Sequence, residues 1–130
     1  MSEPSRFAER YAKAWCSRDP RKVAAFFAEN GSISINNGPT AVGRAAIAKE
    51  AEAFMTTFPN MVITFDKLEP RDGAVAFHWT LTGTNTGPGG TGNKVQISGY
   101  ELWKIDNDGL IGESKGHFDA ADYERQLSQK

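Results

Sequence analysis

Apolar positions recur with the period of a helix in the first half of the chain and with the period of a strand in the second. In Pro4 to Arg18, Phe7, Tyr11 and Trp15 fall at i, i+4 and i+8, with Ala8, Ala12 and Ala14 beside them. Glu9, Arg10, Lys13 and Arg18 take the other side. That spacing predicts an amphipathic helix with a wide aromatic stripe, suited to packing over a sheet. Asp19-Pro20 offers a second start, with Asp as N-cap and Pro in the first turn. The helix expected there is short, Arg21 to Ala28, with Val23, Phe26 and Phe27 inward, and Asn30-Gly31 ends it. Ser32 to Ile35 reads as a brief strand and Asn36 to Pro39 as a loop. A third helix, Ala45 to Phe58, carries the stripe Ile47, Ala51, Phe54, Met55 and Phe58 and stops at Pro59-Asn60.

From Met61 the period changes to two. Met61, Ile63 and Phe65 alternate with Val62, Thr64 and Asp66 in Met61 to Leu68, and Arg71-Asp72-Gly73 makes a turn. In Ala74 to Thr84, Val75, Phe77, Trp79 and Leu81 share one face, and His78, Thr80, Thr82 and Thr84 the other. After the glycine-rich stretch Gly83 to Asn93, the positions Val95, Ile97, Gly99, Glu101, Trp103 and Ile105 align on one face of a strand. Asp106-Asn107-Asp108-Gly109 has hairpin-turn chemistry. Alternation from Ile111 then groups Glu113, Lys115, His117 and Asp119, and Ala120 to Ser128 forms a short closing helix. Helices followed by antiparallel strands give an α+β class with the helices on one face of the sheet, expected as one unit over residues 1–130.

Composition narrows the function classes. A chain of 130 residues, 39% hydrophobic with net charge −1, can bury a sizeable core and has no general attraction for nucleic acid or an anionic membrane. No run approaches the length of a membrane span, and MSEPSRFAERY carries no apolar signal-peptide core. The one cysteine, Cys16, fits a reducing compartment, so a cytoplasmic location is expected.

Candidate chemistry is confined to the late strands. GTNTGPGGTGNK lacks a phosphate-loop ending and leads into a strand, where a phosphate loop needs a helix N-terminus. Two histidines and one cysteine at unsuitable spacing point to no metal site, and no GxSxG elbow is present. Glu101 is the most informative residue. An acid on an apolar strand face must be paired or hold its proton, unless the strand's faces are reversed and it meets water. If both late strands curve around one cavity, Glu101, Glu113, Lys115, His117 and Asp119 can converge there. Asp119 is either an N-cap for the last helix or a general acid/base, with His117 beside it as partner or as a rim residue. Tyr11 and Trp15 are either core or pocket lining. Phe54 and Phe58 can serve as both, since small-molecule pockets are mostly apolar.

The run YxxAW…DP…VxxFFAEN…GR…I, then WTLTGTNTG…GTG…V…SGYELWKIDNDGLIGE, then D…QL, resembles the SnoaL-like polyketide cyclase branch of the nuclear-transport-factor-2-like superfamily over essentially the whole chain. The resemblance implies a cone: a strongly curved antiparallel sheet around a deep pocket, closed by helices. It implies that Asp119 takes the place of the cyclase's acid/base for an aldol-type ring closure, with no metal or cofactor. A homodimer through the outer sheet face is also implied. Asn85 stands where the family often has His, and Lys115 where it often has Trp. Ketosteroid isomerases share the fold. Tyr11 matches their oxyanion-hole tyrosine and Glu101 falls near their protonated acid, but Ser32 to Asn37 offers no Asp as base. The acid-arginine-acid set of limonene-epoxide hydrolases is replaced by Trp79, Leu81 and Gly116. Two readings follow. The first is a cofactor-free enzyme on a hydrophobic oxygenated small molecule, with Asp119, His117 and Glu101 catalytic and Tyr11, Trp15, Phe54, Phe58, Trp79, Asn85 and Trp103 binding substrate. The second is a non-catalytic binding or dimerising module of the same fold.

Overall fold

The computed structural model describes residues 3–128, so residues 1, 2, 129 and 130 of the expected 1–130 unit lie outside the described residues. The elements are α1 (Glu3–Cys16), α2 (Pro20–Ala24), β1 (Phe27–Ile35), β2 (Ala41–Val42), α3 (Arg44–Thr57), β3 (Val62–Arg71), β4 (Ala74–Thr84), β5 (Lys94–Ile105), β6 (Ile111–Phe118) and α4 (Ala120–Ser128). One six-stranded sheet runs in the order β2-β1-β6-β5-β4-β3. All neighbours are antiparallel except β1 and β6, which pair in parallel, a departure from the wholly antiparallel sheet expected. Helix α1 packs against β3 and α2, α3 against β1 and α2, and α4 against β5. Among the described residues, no helix is long and apolar enough to cross a membrane.

The aromatic stripe of α1 lies where the period placed it. Tyr11 is fully buried and Trp15 nearly so, with Ala8, Ala12 and Ala14 buried beside them. Tyr11 meets Phe77 of β4 and Trp103 of β5 edge-on, at ring separations of 5.3 and 5.2 Å. Phe77 stacks on Trp103 at 4.8 Å, and Phe65 on Phe77 at 5.7 Å. These rings join α1 to the concave face of the sheet, and such contacts add to the area they bury.

Helix α2 ends at Ala24, four residues before the expected end. Asp19 caps it, accepting from the Arg21 amide, and Pro20 opens it. Phe26 N donates to Val23 O, and Phe27, fully buried, already pairs with Ile111 of β6. Burial of Phe27 against a distant strand outweighs the helical propensity of Ala-Ala-Phe-Phe, so β1 starts five residues before Ser32.

Strand β5 keeps the expected alternation: Val95, Ile97, Glu101 and Trp103 are buried, and only Ile105, at its end, is exposed. Strand β6 does not. Lys104 pairs with Glu113 while Ile105 pairs with Ile111, so β6 has one residue more than β5 at this step. This irregularity reverses the inward set. Ile111 faces in, but after it Ser114 and Gly116 are the buried positions. Glu113, Lys115 and His117 therefore stand on the face opposite Glu101, contrary to the convergence expected. Further register shifts in β3, between Phe65 and Lys67, and in β1, between Phe27 and Ser32, bend the sheet.

Gly99 marks a close approach at the centre of the sheet, opposite Trp79 of β4 and Phe118 of β6. A Cβ there would lie 2.2 Å from the His117 carbonyl oxygen and 2.7 Å from Trp79 Cζ2. Relief would require β6 to move away from β5. Gly99→Ala is expected to destabilise the fold by about 1–3 kcal/mol, seen as a lower urea midpoint with little change in slope.

Candidate functional site

The concave face, α1 and α3 border a half-open cavity of about 50 Å³. Its wall is made of Trp15 of α1, Phe54 of α3, Phe77, Trp79 and Leu81 of β4 and Phe118 of β6, together with isoleucines of β1 and β3. Glu101 is its one carboxylic acid. The expected wall residues Trp15, Phe54 and Trp79 are thus at the cavity.

Glu101 is 7% exposed and sits between Phe77 and Gly116 in the sheet. Three donors from three elements meet on one of its oxygens. The Tyr11 hydroxyl of α1 donates to Oε1 at 2.9 Å, Trp103 Nε1 of β5 at 3.1 Å, and the Ser114 hydroxyl of β6 at 2.7 Å. Oε2 receives none of these bonds. Since Glu101 lines the cavity, Oε2 is the carboxyl oxygen available to an occupant. Gly116 has no side chain to fill the space beside it: a Cβ there would come within 3.8 Å of Glu101 Cγ.

Burial dominates the electrostatics. It pushes the Glu101 carboxyl above the usual carboxylate range, and the hydrogen bonds from Ser114, Trp103 and Tyr11 only partly pull it back. Burial, with the nearby charge of Glu101, also holds the Tyr11 hydroxyl well above its ordinary value, so Tyr11 remains a donor at neutral pH. The Trp15 indole acts the other way, as a donor lying against the Tyr11 hydroxyl oxygen, though not in the geometry of a full hydrogen bond.

The other candidates are placed elsewhere. Tyr11 and Trp103 are buried behind Glu101 and hold it, so the Tyr11 proton is committed to Glu101 and not offered to a ligand carbonyl. Phe58 is buried against Gly83 and Tyr123, outside the lining. Asn85 is buried at the root of the 85–93 loop, which its backbone closes through Asn93 O and Gly92 N, and it too is outside the lining. His117 borders the cavity, but its imidazole lies tilted against the ring of Tyr100 on the outer face, at a ring separation of 5.0 Å. Asp119 is exposed and caps α4, accepting from the Asp122 amide at 3.0 Å. Among the described residues, no group of three or more His, Cys, Asp or Glu side chains is placed to hold a metal ion.

Ser114 and Gly116 were missed in the sequence because the irregularity near Gly112 reverses the inward set. Gln126-Leu127, read as a motif, has a structural part. The Gln126 side-chain amide exchanges two hydrogen bonds with the Gln96 backbone, at 2.7 and 3.0 Å, as a paired peptide group would. Asn93 Nδ2 donates to the Gln126 and Leu127 carbonyls and so caps α4.

Comparison with known proteins agrees with this architecture. The family model described as SnoaL-like polyketide cyclase matches residues 5–127. A Catenulispora acidiphila DSM 44928 protein with a ketosteroid isomerase-like fold, solved with trimethylamine, superposes with a TM-score of 0.83 at 17% identity, covering 95% of this chain and 93% of that one. A candidate polyketide cyclase from Xanthomonas campestris pv. campestris gives 0.81 at 20%, covering 95% and 96%. SalBIII, an epoxide hydrolase/cyclase-like enzyme of pyran ring formation in the polyether salinomycin, gives 0.74 at 19%, covering 94% and 97%. At these identities the likenesses show the fold alone. No curated protein matches the chain significantly in sequence.

Linkage gives the raised Glu101 carboxyl a testable sign. A group that binds its proton more tightly when folded stabilises the fold fully below its unfolded value, about 4.3, and loses that contribution as pH rises through the folded value. The neutral isostere Glu101→Gln has no such dependence. In urea titrations, the stability of the wild type relative to Glu101→Gln is expected to fall as pH is raised from below about 4.3 towards neutrality. A pH-independent difference would contradict the burial account.

Proposed function

The chain belongs to the SnoaL-like polyketide cyclase family, and we propose that it is a small-molecule enzyme of the cyclase or isomerase type. It works without a cofactor on a compact apolar molecule carrying an oxygen function. The observation that carries this reading is Glu101, with Oε1 held by three donors and Oε2 left to the cavity.

The step such a carboxyl performs is proton transfer beside a carbonyl. As carboxylate, Oε2 takes the proton from the carbon next to the carbonyl. The C–H electron pair becomes the new C=C bond, and the carbonyl π pair moves to oxygen, giving an enolate. Glu101, now protonated on Oε2, returns the proton to that carbon or, in a conjugated substrate, to a more distant one. An enolate formed this way is also the nucleophile of an aldol-type ring closure. A carboxyl raised by burial is a better base at neutral pH than an ordinary one, because proton transfer is most efficient when the group titrates near the working pH. Trp15, Phe54 and Trp79 form walls that keep water from the enolate. Tyr11, Trp103 and Ser114 fix the carboxyl without touching the substrate.

The second reading, a ligand-binding module without turnover, draws support from Asp119, which caps α4 outside the cavity lining and so leaves Glu101 without the acid/base that the family pattern would add. Exchange of carbon-bound protons for deuterium separates the two. With acetone or cyclopentanone in deuterated buffer, the wild type is expected to accelerate exchange at the carbon beside the carbonyl. Glu101→Gln is expected to reduce that acceleration at least about a hundredfold. Asp119→Asn, which keeps an N-cap, is expected to leave it unchanged. Binding without exchange in the wild type would favour the module, and exchange lost in Asp119→Asn would return the chemistry to that residue.

A further inference from the structure

We propose that Gly116 sets the substrate choice of the site. It leaves beside Glu101 a recess for a substituent on the carbon that gives up its proton, so the site takes ketones that react at an internal, carbon-bearing position. The inference rests on the function proposed above and adds the substrate class to it. Gly116 is buried in β6, lines the cavity, and pairs with Glu101 of β5 on one side and Ile35 of β1 on the other. Glycine inside a paired strand weakens it and brings no side chain to its packing. Such a residue is called for by a left-handed backbone, a bulge, a close approach of other protein atoms, or a ligand.

The first three do not hold at Gly116. Its φ lies outside the left-handed region. The register shifts on either side fall elsewhere, between Phe27 and Ser32 and between Lys104 and Ile105. A Cβ at Gly116 would meet Ser34 O at 3.5 Å, Ile35 Cγ1 at 3.7 Å and Glu101 Cγ at 3.8 Å, all ordinary contact distances. Gly99 is the opposite case, with its 2.2 Å approach to the His117 carbonyl oxygen. The fold therefore needs Gly99 but has room for a methyl group at 116. The same atoms say where that room lies. Ile35 and Glu101 are cavity wall, so the recess opens on the cavity side, against the acid. Glu101 does not need the space itself, because three donors already hold its carboxyl. A ketone must bring the carbon that loses its proton up to that carboxyl. Where this carbon bears another carbon, the substituent needs space on the strand side, and the recess over Gly116 supplies it. The cavity is half-open, so it holds the reacting end of the molecule and leaves the rest to extend outward.

Butanone tests this within one molecule, because a methyl and a methylene group both flank its carbonyl. In deuterated buffer, proton NMR follows the loss of each C–H signal as a C–D bond replaces it. Relative to buffer alone, the wild type is expected to favour the methylene over the methyl group, counted per proton. Gly116→Ala is expected to lower that preference about tenfold, the effect of one misplaced methyl group, by slowing the methylene exchange and sparing the methyl. Its urea midpoint is expected to equal or exceed that of the wild type, opposite to Gly99→Ala, because alanine on a compatible backbone restricts the unfolded chain. A wild type without methylene preference, a preference unchanged in Gly116→Ala, or a lowered midpoint, which would show that packing requires the glycine, would overturn the proposal. The wild-type ratio needs no variant. If exchange is absent altogether, binding decides. Butanone is expected to move the Gly116 amide signal of the ¹⁵N-labelled protein, identified by its loss in Gly116→Ala, and to bind that variant more weakly, while acetone binds both alike. The two proposals fail separately. Binding of this kind without exchange removes the enzyme and keeps the recess. Exchange that depends on Glu101 without methylene preference removes the recess and keeps the enzyme. Neither exchange nor such binding removes both.

Discussion

The fold depends on a buried carboxyl held on one side only. Glu101 Oε1 gathers its donors from α1, β5 and β6, so a single oxygen fixes how the first helix sits on the sheet and how the last two long strands face each other. A carboxylate placed among Phe77, Trp103 and Tyr11 with fewer partners would be strongly unfavourable. The asymmetry also matters for chemistry. A proton arrives and leaves on Oε2 while the bonds to Oε1 persist, so the charged and neutral forms share one scaffold. Little must rearrange when the charge moves, which is the condition under which buried dipoles and donors act most strongly on a reaction.

Much of this was legible because periodicity is a backbone property. The helix stripe through Phe7, Tyr11 and Trp15 and the strand alternation through Val95, Glu101 and Trp103 follow from local geometry, and both stand in the structure. Glu101 stood out as an acid on an apolar face, and it is the acid at the cavity. What was not legible depends on partners distant in sequence. Phe27 leaves the helical pattern for a strand because it pairs with Ile111. Glu113, Lys115 and His117 change face because of a register step beside Gly112, which no local pattern announces. Asp119 could be read as cap or catalyst from sequence alone; the structure shows the cap, while its role in turnover is a matter for the exchange experiment.

The outer face shows where the displaced side chains went. Tyr100 lies between His78 and His117, at ring separations of 5.7 and 5.0 Å, with the Arg71 guanidinium over its ring at 4.7 Å. Glu69 joins Arg71 and His78 at 3.0 and 3.1 Å. Cross-strand neighbours of this kind stabilise a sheet whichever face they occupy. The polar groups that the sequence grouped around one cavity therefore divide by function of place: one buried acid inside, and a solvated ladder outside.

Helix α4 differs from the other helices in having no buried residue. It is held by Gln126 on the edge of β5, by Asn93 at its C-terminal carbonyls, and by Tyr123, which touches Phe58 and Phe118 at 6.3 and 5.5 Å. Few apolar contacts hold it, so its local opening costs less free energy than opening the strands. Its amides will exchange with solvent ahead of those in β4 and β5. Because Phe118 is itself cavity wall, that early-melting turn is also where the interior first meets water.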